Sequence, residues 1–198
     1  MKKFACMLLA LVLCLTCAAA LAEDAPSKKT EDLARIEATA QELPEDSGFV
    51  FRIIHDDETV YEDRLVIRDA QLEKLAEAES VEAYFGEEVD LHALVAAETL
   101  NVYEYDAIIV QGYDVSYGAV TVHLLLSTPY EAGEKVAVMI GLVTENENGE
   151  TTVAWKVFEG VGIAAEQVED MGSIEVELDA ETVLAIENDI ALLAIVSD

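Results

Sequence analysis

From about residue 100 onward, apolar and polar residues alternate in short runs separated by turn-forming residues. In the run from Ala119 to Ser127, Val120, Val122, Leu124 and Leu126 fall on one side and Thr121 and His123 on the other, the period-2 pattern of a strand with one buried face. The stretch Tyr105 to Gln111 predicts the strand before it, and Gly112 to Gly118 predicts the turn between them. Lys135 to Val143 is apolar on both sides, as expected of a strand covered on both faces. Residues 145–150 form an acidic hairpin tip in which Asn148-Gly149 suits positive φ, and Thr151 to Phe158 returns with Val153, Trp155 and Val157 together. Gly172 to Leu178 alternates again, with Ile174, Val176 and Leu178 on its apolar side. Asp179 is placed to cap a short helix running through Glu187, and Ile190 to Ser197 is the last strand.

The N-terminal half has a different texture. Residues 33–43 alternate in strand period but also suit a helix through Leu33, Ile36 and Leu43; strand is preferred. Residues 48–68 predict a hairpin: Gly48 to His55 outward, Asp56 to Thr59 as the turn, Val60 to Arg68 as the return. Asp69 is then expected to cap a helix carrying Leu72, Leu75 and Ala76, and Asp90 a second helix carrying Leu91, Leu94 and Val95. Ser80 to Phe85, closed by Gly86, links the two. The resulting expectation is an α+β chain: a small α+β unit over residues 33–99, then an antiparallel immunoglobulin- or fibronectin-like β-sandwich over residues 100–198.

The first 22 residues change the picture of where this body works. Lys2 and Lys3 precede an apolar run from Phe4 to Leu15, and small residues lead to Ala20-Leu21-Ala22. A basic start, a short apolar middle and an Ala-x-Ala exit describe a secretory signal peptide cleaved after Ala22. The reading is therefore a secreted protein. An uncleaved membrane anchor and a lipid anchor on Cys14 or Cys17 are the alternatives, although neither cysteine has both a Leu three places before it and a small residue directly before it. Cleavage removes Cys6, Cys14 and Cys17, so the exported chain has no thiol or disulfide and must hold together by its core. Residues 23–32 are polar and read as a mobile arm.

Charge narrows the partners. With Lys2 and Lys3 gone, nine of the 11 basic residues face all 41 acidic ones, a net charge of −32. Nucleic acid and anionic membrane surfaces are excluded by this repulsion, because both need clustered Lys and Arg. Mean hydropathy is nonetheless positive, +0.26, so the acids coat a folded core and do not mark a disordered tail.

The segments Val81-Glu-Ala-Tyr-Phe-Gly86, Tyr105-Asp106-Ala107-Ile108, Gly160-Val161-Gly162, Gly172 to Leu178 and Ala191 to Ser197 carry a resemblance. Over residues 80–198 the chain resembles secreted β-sandwich modules of gut bacteria related to the clostridia. The resemblance implies a sandwich and no catalytic residues.

Motifs for chemistry are sparse. His55-Asp56-Asp57-Glu58 joins an imidazole to three carboxylates, but contiguous residues at a strand end read better as a charged turn. His92 and His123 fall on outward positions, and no His-Glu-x-x-His occurs. An EF-hand alignment on Gly149 puts Thr144 and Trp155 where carboxylates are required, leaving only a loose surface calcium site. Gly-x-Ser-x-Gly, a P-loop and Gly-x-Gly-x-x-Gly are absent. No catalytic residue, metal ligand or cofactor is expected. Tyr103, Tyr105, Tyr113, Tyr117 and Tyr130 cluster in sequence, and Tyr113 and Tyr117 in the glycine-flanked turn are the candidate ligand-binding residues. The functional expectation is a secreted, non-enzymatic binding or cell-envelope module with a protein or glycan partner. The rival is a metal-dependent carbohydrate binder or a hydrolase using surface carboxylates.

So large a net charge loads the folded state with self-repulsion that counterions relieve. The melting temperature is expected to rise with added salt or divalent cation; identical melts at low and high ionic strength would contradict this.

Overall fold

The computed structural model describes residues 36–37, 48–86, 89–95, 99–126, 130–146, 150–163 and 172–198. The expected signal peptide, the polar arm, most of residues 33–43 and the Asn148-Gly149 turn lie outside the described residues. Eight strands form one sheet: β1 (Ile36–Glu37), β2 (Val50–Ile53), β3 (Asn101–Gln111), β4 (Val120–Leu126), β5 (Lys135–Glu145), β6 (Thr151–Ile163), β7 (Gly172–Leu178) and β8 (Ile190–Ser197). The order is β1-β4-β7-β6-β5-β8-β3-β2, and every neighbouring pair is antiparallel. The edge strands β1 and β2 approach within 8 Å, so the sheet curls nearly into a barrel.

The strand pattern expected after residue 100 is present, and the chain is β-rich and antiparallel. A sandwich would divide these strands between two stacked sheets, whereas here they pair continuously in one. The strand β2, from the N-terminal half, joins the same sheet through β3, with Phe51 opposite Val110 and Ile53 opposite Ile108.

Alternation sends two sets of side chains to two cores. One set includes Phe51 and Ile53 of β2, Val120, Val122, Leu124 and Leu126 of β4, Val138 and Ile140 of β5, and Leu193 and Ile195 of β8. Residues close to both sheet edges share this cluster, so its face is the concave one. The helix α3 (Ala180–Asn188) adds Val183 and Ile186 to it. Asp179 caps α3 as expected: its Oδ1 accepts from the Thr182 N–H at 2.8 Å and its Oδ2 from the Thr182 hydroxyl at 3.0 Å.

The convex face of β3, β8, β5 and β6 carries Ala107, Ile109, Met139, Leu192, Ala194 and Trp155. It is covered by α1 (Glu62–Glu77), α2 (Val81–Phe85) and a 3₁₀ turn at Leu91–Ala93. Both faces of β5 and β8 are thereby buried, which explains their unbroken apolar sequences.

Four N-terminal expectations are corrected. Val60 to Arg68 does not return as a strand; a 3₁₀ turn at Thr59–Tyr61 leads directly into α1. The buried positions of α1 are Leu65, Arg68, Gln71 and Leu75, spaced three and four apart. Two of the four are polar, which hides the helical stripe from a hydropathy reading. Asp69 is therefore an interior helical residue and caps nothing. Asp90 does cap, accepting from the Ala93 N–H at 3.1 Å, but the element it starts is a single 3₁₀ turn. The connector Ser80 to Phe85 is itself helical: the Ser80 hydroxyl accepts from the Ala83 N–H at 3.1 Å, and Gly86 ends the helix at φ 98°. Among the described residues no helix is long and apolar enough to cross a membrane.

Gly141 of β5 lies opposite Trp155 of β6. A Cβ there would stand 2.6 Å from Val153 and 2.7–2.8 Å from the indole, so only glycine lets the Trp155 ring lie on the strand. Gly141→Ala is expected to destabilise the fold by about 1–3 kcal/mol through overpacking. Because Trp155 is the sole tryptophan, its emission should change in the folded variant. Urea unfolding followed by fluorescence checks both; an unchanged midpoint and spectrum would show that the ring does not rest on β5.

Candidate binding cleft

The turn from β2 into α1 is built from the charged run His55-Asp56-Asp57-Glu58, and its acids serve structure. Arg52 grips Glu58 with two parallel hydrogen bonds of 2.6 and 2.7 Å, and the His55 N–H donates to the same carboxylate at 2.9 Å. The Arg52 bonds and the His55 amide together push Glu58 down to about 2. Asp56 accepts from Arg68 at 2.7 Å, twelve residues along the chain, and ties the turn to α1.

Arg68 is buried, 7 % exposed, on the face of α1 that packs against the sheet. Asp69 accepts from its Nη2 at 2.9 Å, and Asp106 of β3 lies 3.6 Å from its Nη1. The two helix-side and turn-side carboxylates hold the guanidinium more closely than Asp106 does. Burial therefore dominates at Asp106 and pushes it up to about 7; the Arg68 charge opposes the rise, while Glu104 and Asp56 add to it.

One turn along α1 from Arg68, Gln71 is 4 % exposed, and its Nε2 has no hydrogen-bond partner. Gln71 lines a cleft of about 450 Å³ between α1, α2 and the start of β6. Lys74 and Ala78 complete the α1 wall, Ala83, Tyr84 and Phe85 the α2 wall, and Thr151, Thr152, Val153 and Trp155 the sheet wall. The aromatic part is a packed cluster. Trp155 meets Phe85 edge-on at 4.8 Å and 85°, and Tyr84 meets Phe85 at 4.9 Å and 77°. The Tyr84 and Tyr105 hydroxyls share a 2.6 Å hydrogen bond. Burial pushes Tyr84 up to about 12 and raises Tyr105 as well, so both phenols stay neutral.

The aromatic cluster offers apolar surface, while the Gln71 amide, the Thr151 hydroxyl and the Lys74 ammonium offer hydrogen bonds. Among the described lining residues there is no carboxylate, histidine or cysteine.

The structure places the sequence candidates elsewhere. Tyr113 is buried against Phe49 and Tyr117, with ring centroids at 6.2 and 6.0 Å. Its hydroxyl donates to the Gly118 carbonyl at 2.6 Å, and its N–H donates to Glu187 of α3 at 3.1 Å. Tyr117 is half-buried at the same corner. His92 pairs with Glu82 at 3.1 Å and His123 with Glu175 at 2.9 Å, on separate surfaces, and the exposed His55 lies in the β2–α1 turn. Among the described residues no three His, Asp or Glu side chains come together as a metal ion would require. At the acidic tip, Asn146 and Glu150 bond to each other: the Asn146 N–H donates to the Glu150 carbonyl at 3.0 Å, and the Glu150 N–H to Asn146 Oδ1 at 3.0 Å.

The cleft residues were not singled out by motif. Two signals pointed toward them: the only tryptophan, and the pair Tyr84-Phe85 bracketed by a capping Ser80 and a terminating Gly86. Against known proteins, no family model, no curated protein and no solved structure matched this chain.

The raised Asp106 carboxyl has a pH signature. In the unfolded chain the group ionises near pH 4, whereas in the folded protein it keeps its proton to about 7. Between these values unfolding releases a proton, so this group's contribution to stability falls as pH rises through the window and is constant outside it. Asp106→Asn cannot titrate. Its stability relative to the parent should rise by about 2–4 kcal/mol between pH 4 and pH 8 in urea unfolding. A difference that is the same at both pH values would show an ordinary, solvated Asp106.

Proposed function

We propose that this chain is an exported, non-enzymatic binding module that acts outside the cell or at its envelope, and that the cleft between α1, α2 and β6 is its ligand site. The export reading comes from the Lys2–Ala22 segment. The binding reading rests on one observation. Three aromatic rings and a set of hydrogen-bonding side chains converge on a concave site of small-ligand size whose described lining holds no carboxylate.

The supporting chemistry is that of recognition. Tyr84 and Tyr105 are protonated and bonded to each other, so neither offers a base. Thr144 and Thr152 share a hydroxyl–hydroxyl contact of 2.9 Å. The rings supply flat apolar surface of the kind that stacks on sugars.

Emission from Trp155 reports on the site directly. Titration with a panel of soluble mono- and disaccharides is expected to give a saturable change with at least one member. Ala83→Phe, at an exposed lining position outside the core, should fill the mouth and abolish that change while leaving the melting temperature within about 1 °C. A flat response across the panel, or one that survives Ala83→Phe, would overturn the assignment of the cleft.

A further inference from the structure

We infer that the cleft selects a neutral sugar carrying an acylamino group, an N-acetylhexosamine or an oligomer of it. The inference rests on the binding reading above and names the ligand class of that site. Three features of the lining carry it.

The first is charge. A protein with a net charge of −30 over its whole chain repels anionic ligands at every approach, and one exposed ammonium, Lys74, does not reverse that field. Cationic ligands gain nothing at the lining either, because among the described residues it offers Lys74 and no carboxylate. A neutral ligand avoids both penalties.

The second is the mismatch between donors and acceptors. Gln71 is 96 % buried by its 4 % exposure, and its Nε2 is without a partner. A buried amide nitrogen left unbonded is destabilising, because it has lost its water without gaining a partner. The Gln71 nitrogen and, one turn away, the Lys74 ammonium place two donor groups on the α1 wall, and the Gln71 nitrogen is bonded to no acceptor. The complementary group on a ligand is a carbonyl oxygen. A neutral carbonyl is preferred to a carboxylate beside a buried amide, since desolvating an anion costs far more.

The third is the apolar wall. Trp155, half-buried, presents ring surface beside these donors, and the buried Phe85 backs it edge-on. A pyranose has one face of C–H groups that stacks on such rings, and an acetyl methyl is a second apolar element. Carbonyl, methyl and stacking face occur together in an acetamido sugar. A plain hexose has only the stacking face, and a hexuronic acid has that face with a charge.

The test is a Trp155 fluorescence titration with N-acetylglucosamine and its dimer, glucose and glucuronic acid, each in low and high salt. The acetamido sugars should bind at least about tenfold more tightly than glucose, with an affinity unchanged between about 20 and 300 mM salt. Gln71→Leu removes the unpaired nitrogen and leaves no buried polar group, so it should fold at least as well as the parent. It should also lose the preference over glucose. Equal binding of glucose and N-acetylglucosamine, tighter binding of glucuronic acid, or a preference that survives Gln71→Leu would overturn the ligand class while leaving the cleft as a binding site. Failure of every sugar would remove both.

Discussion

Strands β5 and β8 sit at the middle of the sheet with side chains buried on both faces, and the rest of the molecule is organised around covering them. Curling the sheet covers one face: side chains from near both edges meet inside, and α3 adds Val183 and Ile186. Curling cannot cover the other face. That requires α1, α2 and the Leu91–Ala93 turn, which lie over Met139, Leu192 and Ala194. In a chain whose cysteines all lie in the first 17 residues, burial of these two layers is the main force opposing chain entropy.

The helical cover does not seal by hydrophobic contact alone. Leu65 and Leu75 bracket two polar residues on the buried stripe of α1, and these hold the helix differently. Arg68 draws Asp56, Asp69 and Asp106 into one charged cluster and so ties the turn, the helix and β3 together. Among 41 acidic residues a single buried guanidinium has no shortage of partners, and its placement decides which acids become structural. Gln71 has no such partner. Where it stands, the helix and the β6 strand part into the cleft, and Tyr84, Phe85 and Trp155 form its wall. The proposed ligand site is thus a gap between the cover and its sheet, which leaves room for an outside group to complete the packing.

Legibility differed sharply along the chain. β4 and β7 were readable because each has one face to the core, so Val120, Val122, Leu124 and Leu126 alternate with half-exposed residues. Asp179 announces its helix by short-range hydrogen bonds that need no tertiary partner. α1 was misread because Arg68 and Gln71 occupy core positions, and a polar residue can sit there only when distant atoms or a ligand answer it. Tyr113 drew attention as an aromatic in a turn, yet its ring packs on Phe49 and its hydroxyl on Gly118. The residues that form the cleft come from positions 71 to 155, and no local pattern links them.

The strands after residue 100, the Asp179 helix cap and the net negative charge were legible in the sequence itself. Each depends on neighbours a few residues apart or on a sum over composition. Only the tertiary structure decided that the strands join in one curled sheet, that the acids of the His55–Glu58 turn pair with Arg52 and Arg68, and that Gln71 faces Trp155 across an open cleft. Those outcomes turn on which distant surfaces meet. That choice is made by total burial and charge pairing over the whole chain, and period-2 alternation carries no information about which strand lies beside which.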